Sequence, residues 1–282
     1  MPRLYRPIAI ALILLVLAIE AAAHDVIIRT RDGRSVSFSQ LVEDAVKSDL
    51  VLIGEAHDDK SHHEMQLALI RALWEKNIPL AIGMETMEAG SQQQLDAWTE
   101  GRMSEENFQM VFADNWSMDW GLYREIFIFA RDNRVPMLAL NVPKEIVQKV
   151  SRQGFASLTP EERKDLPQGT TCDLRNPHTA LLRKAFQQNF LHLKNMNTFT
   201  YFCEAQTVRN SGMAWNIARY AEKNADRKIV ALTGTWHAIK NAIPEQLERN
   251  GSKLGYTVII PEIPELPQGS AAASEADYII SR

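Results

Sequence analysis

Two copies of one short pattern carry the residue types for chemistry. Gly54-Glu55-Ala56-His57 follows the apolar run Leu50 to Gly54, and Gly234-Thr235-Trp236-His237 follows Lys228 to Thr233. Both set an imidazole three residues after a glycine, just beyond what reads as a buried strand. Two further runs, Leu80 to Met84 and Met137 to Leu140, end in Glu85 and Asn141. In a parallel α/β sheet ligands bind beyond the carboxyl ends of the strands, so Glu55, His57, Glu85 and His237 are expected to converge. Imidazole with carboxylate is the ligand set of a Zn, Mn or Fe site. With a water position left open it also equips a metal-dependent hydrolase, a peptidase or an esterase. His57 and His237 would then serve as ligands or bases and Glu55 or Glu85 would activate water. The plainer alternatives are capping or core histidines and a carboxylate held at a helix N-terminus by its dipole. His62 and His63 open a helix behind Asp59 and Ser61; adjacent helical residues point about 100° apart, and His63 is the one that shares a face with Gln66.

The elements that must position these groups alternate. Asp25 to Phe38 reads as two β-type runs around Asp32-Gly33, a hairpin, and Ser39 is expected to cap a helix running to Lys47. The four strand-like runs above, and a fifth at Thr257 to Ile260, are separated by helical periodicities over Ser61 to Lys76, Trp120 to Asp132, Lys144 to Gln153, His178 to Lys194, Glu204 to Asn224 and Ile243 to Asn250. Asp277 to Ile280 is expected to add an edge strand. This is the signature of an α/β fold with a mainly parallel central sheet flanked by helices. Residues 24–282 are expected to form one domain, with a helical insertion or cap at about Ser91 to Trp120 and a second insertion from Pro143 to about Ala205, irregular over Thr159 to Pro177.

Composition narrows the function. The chain has 282 residues, a formal charge of −4 and 45% hydrophobic residues. A slightly acidic chain without a Lys/Arg run lacks the electrostatic footprint of a nucleic-acid binder, and it is too apolar for disorder. Ile8 to Ile19 is twelve consecutive aliphatic residues, preceded by Arg3 and Arg6 and followed by Ala21-Ala22-Ala23. That reads as a secretory signal peptide over residues 1–23, too short to span a bilayer; its removal leaves a charge of −5. A periplasmic or secreted protein is expected. In an oxidising compartment Cys172 and Cys203 are either a disulfide or two buried thiols.

Taken together, Ile53 to Asp58, His62 to Gln66, Gly83-Met84-Glu85, Leu138 to Pro143, Ala205-Gln206 with Met213-Ala214, and Leu232 to His237 resemble the ChaN-like haem-binding uptake proteins. These belong to a superfamily with the Tiki and TraB membrane proteins and the erythromycin esterases. The matches run from about Asp49 to Pro244. The resemblance implies an extracytoplasmic haem-binding protein linked to iron uptake, with haem held between protomers of a homodimer, a tyrosine as iron ligand, and association with a haem-uptake system at the membrane. It also implies that Glu55, His57, Glu85 and His237 are the superfamily's functional positions. Some ChaN-like proteins are lipoproteins, and this chain has no lipobox cysteine. A tyrosinate ligand needs its pKa brought down from about 10 and an apolar slot for the porphyrin. Tyr123, in a Trp/Phe/Met-rich stretch, and Tyr201, beside Phe199 and Phe202, are the candidates, and His63 is a third; both tyrosines read also as core aromatics. The enrichment from Met103 to Phe129 suits either a haem face or a cap packed on the sheet.

Overall fold

Alternation along the strands explains the layering. In β3 (Leu50–Glu55), Leu50 and Leu52 pack on one side of the sheet while Val51 and Ile53 pack on the other, and all are buried. Such strands must be covered on both faces. The computed structural model describes residues 26–164, 166, 172–175, 177–189, 196–266 and 272–281; the expected export signal and part of the 159–177 stretch lie outside them. Besides β3, the sheet contains β1 (Val26–Arg29), β2 (Arg34–Val36), β4 (Leu80–Glu88), β5 (Met137–Asn141), β6 (Lys228–Gly234), β7 (Tyr256–Pro261) and β8 (Tyr278–Ser281), in the order β2-β1-β8-β7-β3-β6-β4-β5. From β8 to β5 the strands are parallel; β1 is antiparallel to both of its neighbours. The expected mainly parallel α/β fold is the observed one.

One layer is α1 (Phe38–Ala45), α2 (Lys60–Glu75), α3 (Gln92–Thr99), α4 (Glu105–Asn115) and α5 (Trp120–Asp132), around a core containing Trp98, Phe108, Phe112 and Phe127. The Trp/Phe/Met-rich stretch is therefore mostly interior packing. After α6 (Lys144–Gln153), α7 (Pro160–Arg163) and α8 (Pro177–Asn189), the other face is covered by α9 (Met196–Lys223), α10 (Thr235–Ala238) and α11 (Ile243–Arg249) through Met213, Ile217, Ile239 and Leu247.

Three expectations need correction. The cap of α1 is Ser37, which forms a reciprocal capping box with Gln40, rather than Ser39. The strand at 277–280 is not at an edge: β8 pairs with β7 on one side and β1 on the other. The hairpin extends the sheet beyond it, and Thr30 locks the join by donating its N–H to the Asp277 carbonyl at 2.9 Å and its hydroxyl to the Ala276 carbonyl at 2.7 Å. Finally, α9 starts at Met196 rather than Glu204. Its first turns carry Thr and aromatic residues of high strand propensity, which hide the helical period. Tertiary contacts override it there: Phe199 packs on Phe186, and Cys203 is bonded to Cys172, with Cα atoms 5.9 Å apart.

Where α9 crosses the end of β5, Gly212 lies against Val142, and a Cβ there would overlap the valine side chain. Gly212→Ala should destabilise the protein by about 1–3 kcal/mol through overpacking, read as a lower thermal unfolding midpoint. An unchanged midpoint would mean that this contact yields freely.

Candidate functional site

Two buried carboxylates define the C-terminal end of the sheet, and each is held by its own set of partners. Glu55, the last residue of β3, faces α2 and α5. Its Oε1 accepts the Tyr123 hydroxyl at 2.5 Å and His57 Nδ1 at 2.8 Å, and its Oε2 accepts the Gln66 amide at 2.7 Å. His63 Nδ1 stands 3.3 Å from the same Oε2, and its ring lies 4.2 Å from that of Tyr123. The spacing of α2 explains this convergence, since residues three apart lie on one helix face, which turns His63 and Gln66 inward together. His62 instead accepts the Ala56 N–H at 3.0 Å. Burial alone would raise the Glu55 carboxyl, but the hydrogen bonds and charges of His57 and His63 outweigh it and hold the group at about 2. Burial would likewise lower both imidazoles, and the Glu55 bond more than reverses it, so both titrate above their ordinary range.

Glu85, in β4, faces the α9 side. Its Oε1 accepts the Arg209 guanidinium, and its Oε2 accepts the Gly234 N–H at 2.6 Å. His237 Nε2 stands 3.6 Å away, while His237 Nδ1 contacts Asn210 Oδ1 at 2.5 Å. Asn141 donates its amide to the Glu85 carbonyl at 3.0 Å, and its Oδ1 accepts Arg209 Nε at 3.4 Å. Burial would raise the Glu85 carboxyl; the positive charges of His237, Arg209 and His57 bring it below its usual range instead.

The two clusters meet at Gly234, which β3–β6 pairing sets beside Glu55. A Cβ on Gly234 would lie 2.9 Å from His57 Cε1, 3.0 Å from His57 Nε2 and 3.7 Å from Glu85 Oε2. Only glycine leaves room for the imidazole here. The His57 side chain keeps 28% of its surface exposed, against 16% for Arg209, 5% for His237 and 2% for Glu55, so His57 is the most solvent-accessible group of the set. Trp116 covers it edge-on with ring centres 5.0 Å apart.

Several expectations change. The four strand-end residues do not close on a single metal centre, and among the described residues no group of three or more His, Cys, Asp or Glu side chains is placed to hold a metal ion. The physical reason is that Tyr123, His57 and Gln66 saturate Glu55, while Arg209 supplies Glu85 with the positive charge a metal would have brought. As iron ligands, Tyr123 and His63 do not fit: both are buried and committed to Glu55. Burial first, then the Glu55 charge and hydrogen bond, push the Tyr123 hydroxyl far above its ordinary value, whereas a tyrosinate ligand needs it lowered. Tyr201 lies in the first turns of α9, half-buried, with its ring against Gly154, and no carboxylate holds its hydroxyl among the described residues.

The sequence does not single out Arg209 and Asn210, although the matching pairs Ala205-Gln206 and Met213-Ala214 bracket them. The available signal was two polar residues interrupting the buried face of α9 that carries Val208, Met213 and Ile217. Tyr123 stands out in the sequence by its aromatic ring alone, and nothing in its spacing connects it to Glu55, 68 positions away.

Known proteins share this architecture. The family described as "Haem-binding uptake, Tiki superfamily, ChaN" matches residues 41–247. A ChaN of Campylobacter jejuni, described with cofacial haem binding, superposes with a TM-score of 0.73 at 18% identity, covering 91% of this chain and 96% of that one. An erythromycin esterase, EreC, in its open conformation gives a TM-score of 0.53 at 13% identity, covering 92% of this chain and 97% of that one. Protein RETICULATA-RELATED 5, chloroplastic, of Arabidopsis thaliana is 26% identical over 132 residues, 43% of this chain and 17% of that protein's length.

The cluster around Glu55 sets a pH dependence. Glu55 is lowered from 4.5 to about 2, so its contribution to stability is complete above about pH 4.5 and is lost as the pH falls towards 2. His57 and His63 are raised from 6.5, so theirs is complete below about pH 6.5 and is lost as the pH rises through their higher values. Stability from this cluster should therefore be greatest between about pH 4.5 and 6.5. Glu55→Gln should cost about 3–5 kcal/mol by orphaning the buried imidazoles and flatten both limbs. Thermal unfolding across this range checks it, and an unaltered profile in the variant would refute it.

Proposed function

Since the chain belongs to the haem-binding uptake family of the Tiki superfamily, ChaN, we propose that it is an exported haem-binding protein, periplasmic or secreted, acting in haem or iron uptake. The family match over residues 41–247 carries this reading. The Cys172–Cys203 bond supports the oxidising compartment it requires, and among the described residues no helix is long and apolar enough to cross a membrane. A homodimer that associates with a membrane haem-uptake system belongs to the same proposal.

Of the candidate iron ligands, Tyr201 is the one whose hydroxyl is not already held by Glu55. Bound haem would supply an iron centre whose ligand and surroundings the protein controls. In this reading the Glu55 and Glu85 clusters shape and charge the strand-end surface while Tyr201 holds the iron.

A second reading is favoured by one observation: Glu55 holds His57 Nδ1 and leaves the partly exposed ring with Nε2 free of any hydrogen bond among the described residues. That is the arrangement of an oriented imidazole base, and it suits ester or peptide hydrolysis without a metal.

A haem titration read at the Soret band, run beside an assay with a chromogenic ester, separates the two. The wild-type protein should bind haem; Tyr201→Phe should lose at least about tenfold in affinity, by the measure of metal-site substitutions; and His57→Ala should bind like wild type without detectable ester turnover in either. Absence of haem binding by the wild type would overturn the first reading. Turnover lost on His57→Ala would establish the second.

A further inference from the structure

The opposite end of β3 carries a cavity that the strand-end chemistry does not use. It has a volume of about 460 Å³, between the exposed stripe of α9 and residues 250–254 after α11, within the range of small-molecule sites. Ala218 and Ala221 line it on the α9 side, and Trp215, 37% exposed, stands beside them. The Arg219 guanidinium lies 6.0 Å from the Trp215 ring centre. Lys253 and Arg227 line the same space, and Arg227 donates to the Leu80 carbonyl at 3.2 Å. Two acids, Asp49 and Glu222, also line it, but Asp49 is turned to the Gly255 N–H at 2.8 Å. None of the three cations forms an ion pair among the described residues.

An exposed indole beside small side chains offers one flat face for stacking. Cations without acid partners around it favour carboxylates, and a guanidinium recognises them with paired donors. We propose that this cavity binds a flat aromatic carboxylate, stacked on Trp215 with its acid group at Arg219 and Lys253. The site is separate from the proposed haem ligand Tyr201 and does not rest on that reading. Two sources share this chemistry: a metal-free or metal-bearing porphyrin with its two propionates, and a smaller aromatic acid.

The test titrates the full chain with metal-free mesoporphyrin in one arm and 1-naphthoate in the other, following the tryptophan fluorescence that Trp215→Phe removes. At least one of the two should quench that component to saturation. The neutral counterparts, mesoporphyrin dimethyl ester and 1-naphthamide, should bind at least about tenfold more weakly, as should the Arg219→Gln/Lys253→Gln variant. Saturation by mesoporphyrin assigns a porphyrin-sized occupant, and saturation by naphthoate alone assigns a small aromatic acid. Trp215, Arg219 and Lys253 are exposed, so an unchanged unfolding midpoint verifies that the variants are folded. If neither anion quenches Trp215, or if the double variant binds both as tightly as wild type, the proposal is wrong.

Discussion

A carboxylate enclosed in a protein must be given positive charge and hydrogen bonds, because its bare burial is prohibitive. Two such groups, Glu55 and Glu85, stand at the ends of neighbouring parts of one sheet, and much of the surrounding architecture answers that requirement. The strand between them, β6, contributes a glycine whose N–H reaches Glu85 and whose missing side chain admits His57. Helix α2 turns His63 and Gln66 to Glu55, α5 delivers the Tyr123 hydroxyl, and α9 brings Arg209 across to Glu85. Helices on both faces of the sheet are thus tied to the strand ends by charge as well as by apolar packing.

The parts of this arrangement legible in the sequence are those fixed locally. Continuous apolar runs marked β3, β4 and β6, two of them ending in Gly54-Glu55 and Met84-Glu85 and the third in Gly234-Thr235, because strands buried on both faces cannot alternate in polarity. Placing Glu55, His57, Glu85 and His237 at strand ends followed from that alone. Their partners come from distant turns of helices, and periodicity does not report which buried polar residue a helix delivers to which strand. Arg209 is the telling case. An arginine on a mostly apolar helix face reads as a snorkelling surface residue, whereas here it is the counter-ion of a carboxylate 124 positions away. With that cation unseen, the histidines and glutamates suggested a metal; with it in place, Glu85 already has its charge partner. The position of β8 was hidden for a related reason, since strand order is decided by which edges meet in space.

The family relationship and the site geometry bear on different questions. Membership places the chain among haem-binding uptake proteins, and the same fold is shared with an erythromycin esterase, so the fold by itself does not choose a chemistry. In the geometry, His57 is the most exposed member of the strand-end network and Arg209 is partly exposed, while Glu55, Glu85, His63, His237 and Tyr123 are enclosed behind them. Any ligand approaching this end of the sheet meets an imidazole whose orientation and charge are set by the buried carboxylates. This holds whether the group serves haem binding or acid–base chemistry.

Whether Arg209 takes the place of a metal ion at Glu85 is decided by a double-mutant cycle in unfolding free energy with Glu85→Gln, Arg209→Met and the pair of substitutions together. Each single change should be strongly destabilising, by about 3–5 kcal/mol, and the pair should cost less than their sum by at least about 1 kcal/mol, with added divalent metal making no difference to any of the four proteins. Additive costs, or rescue of Arg209→Met by a divalent ion, would contradict it.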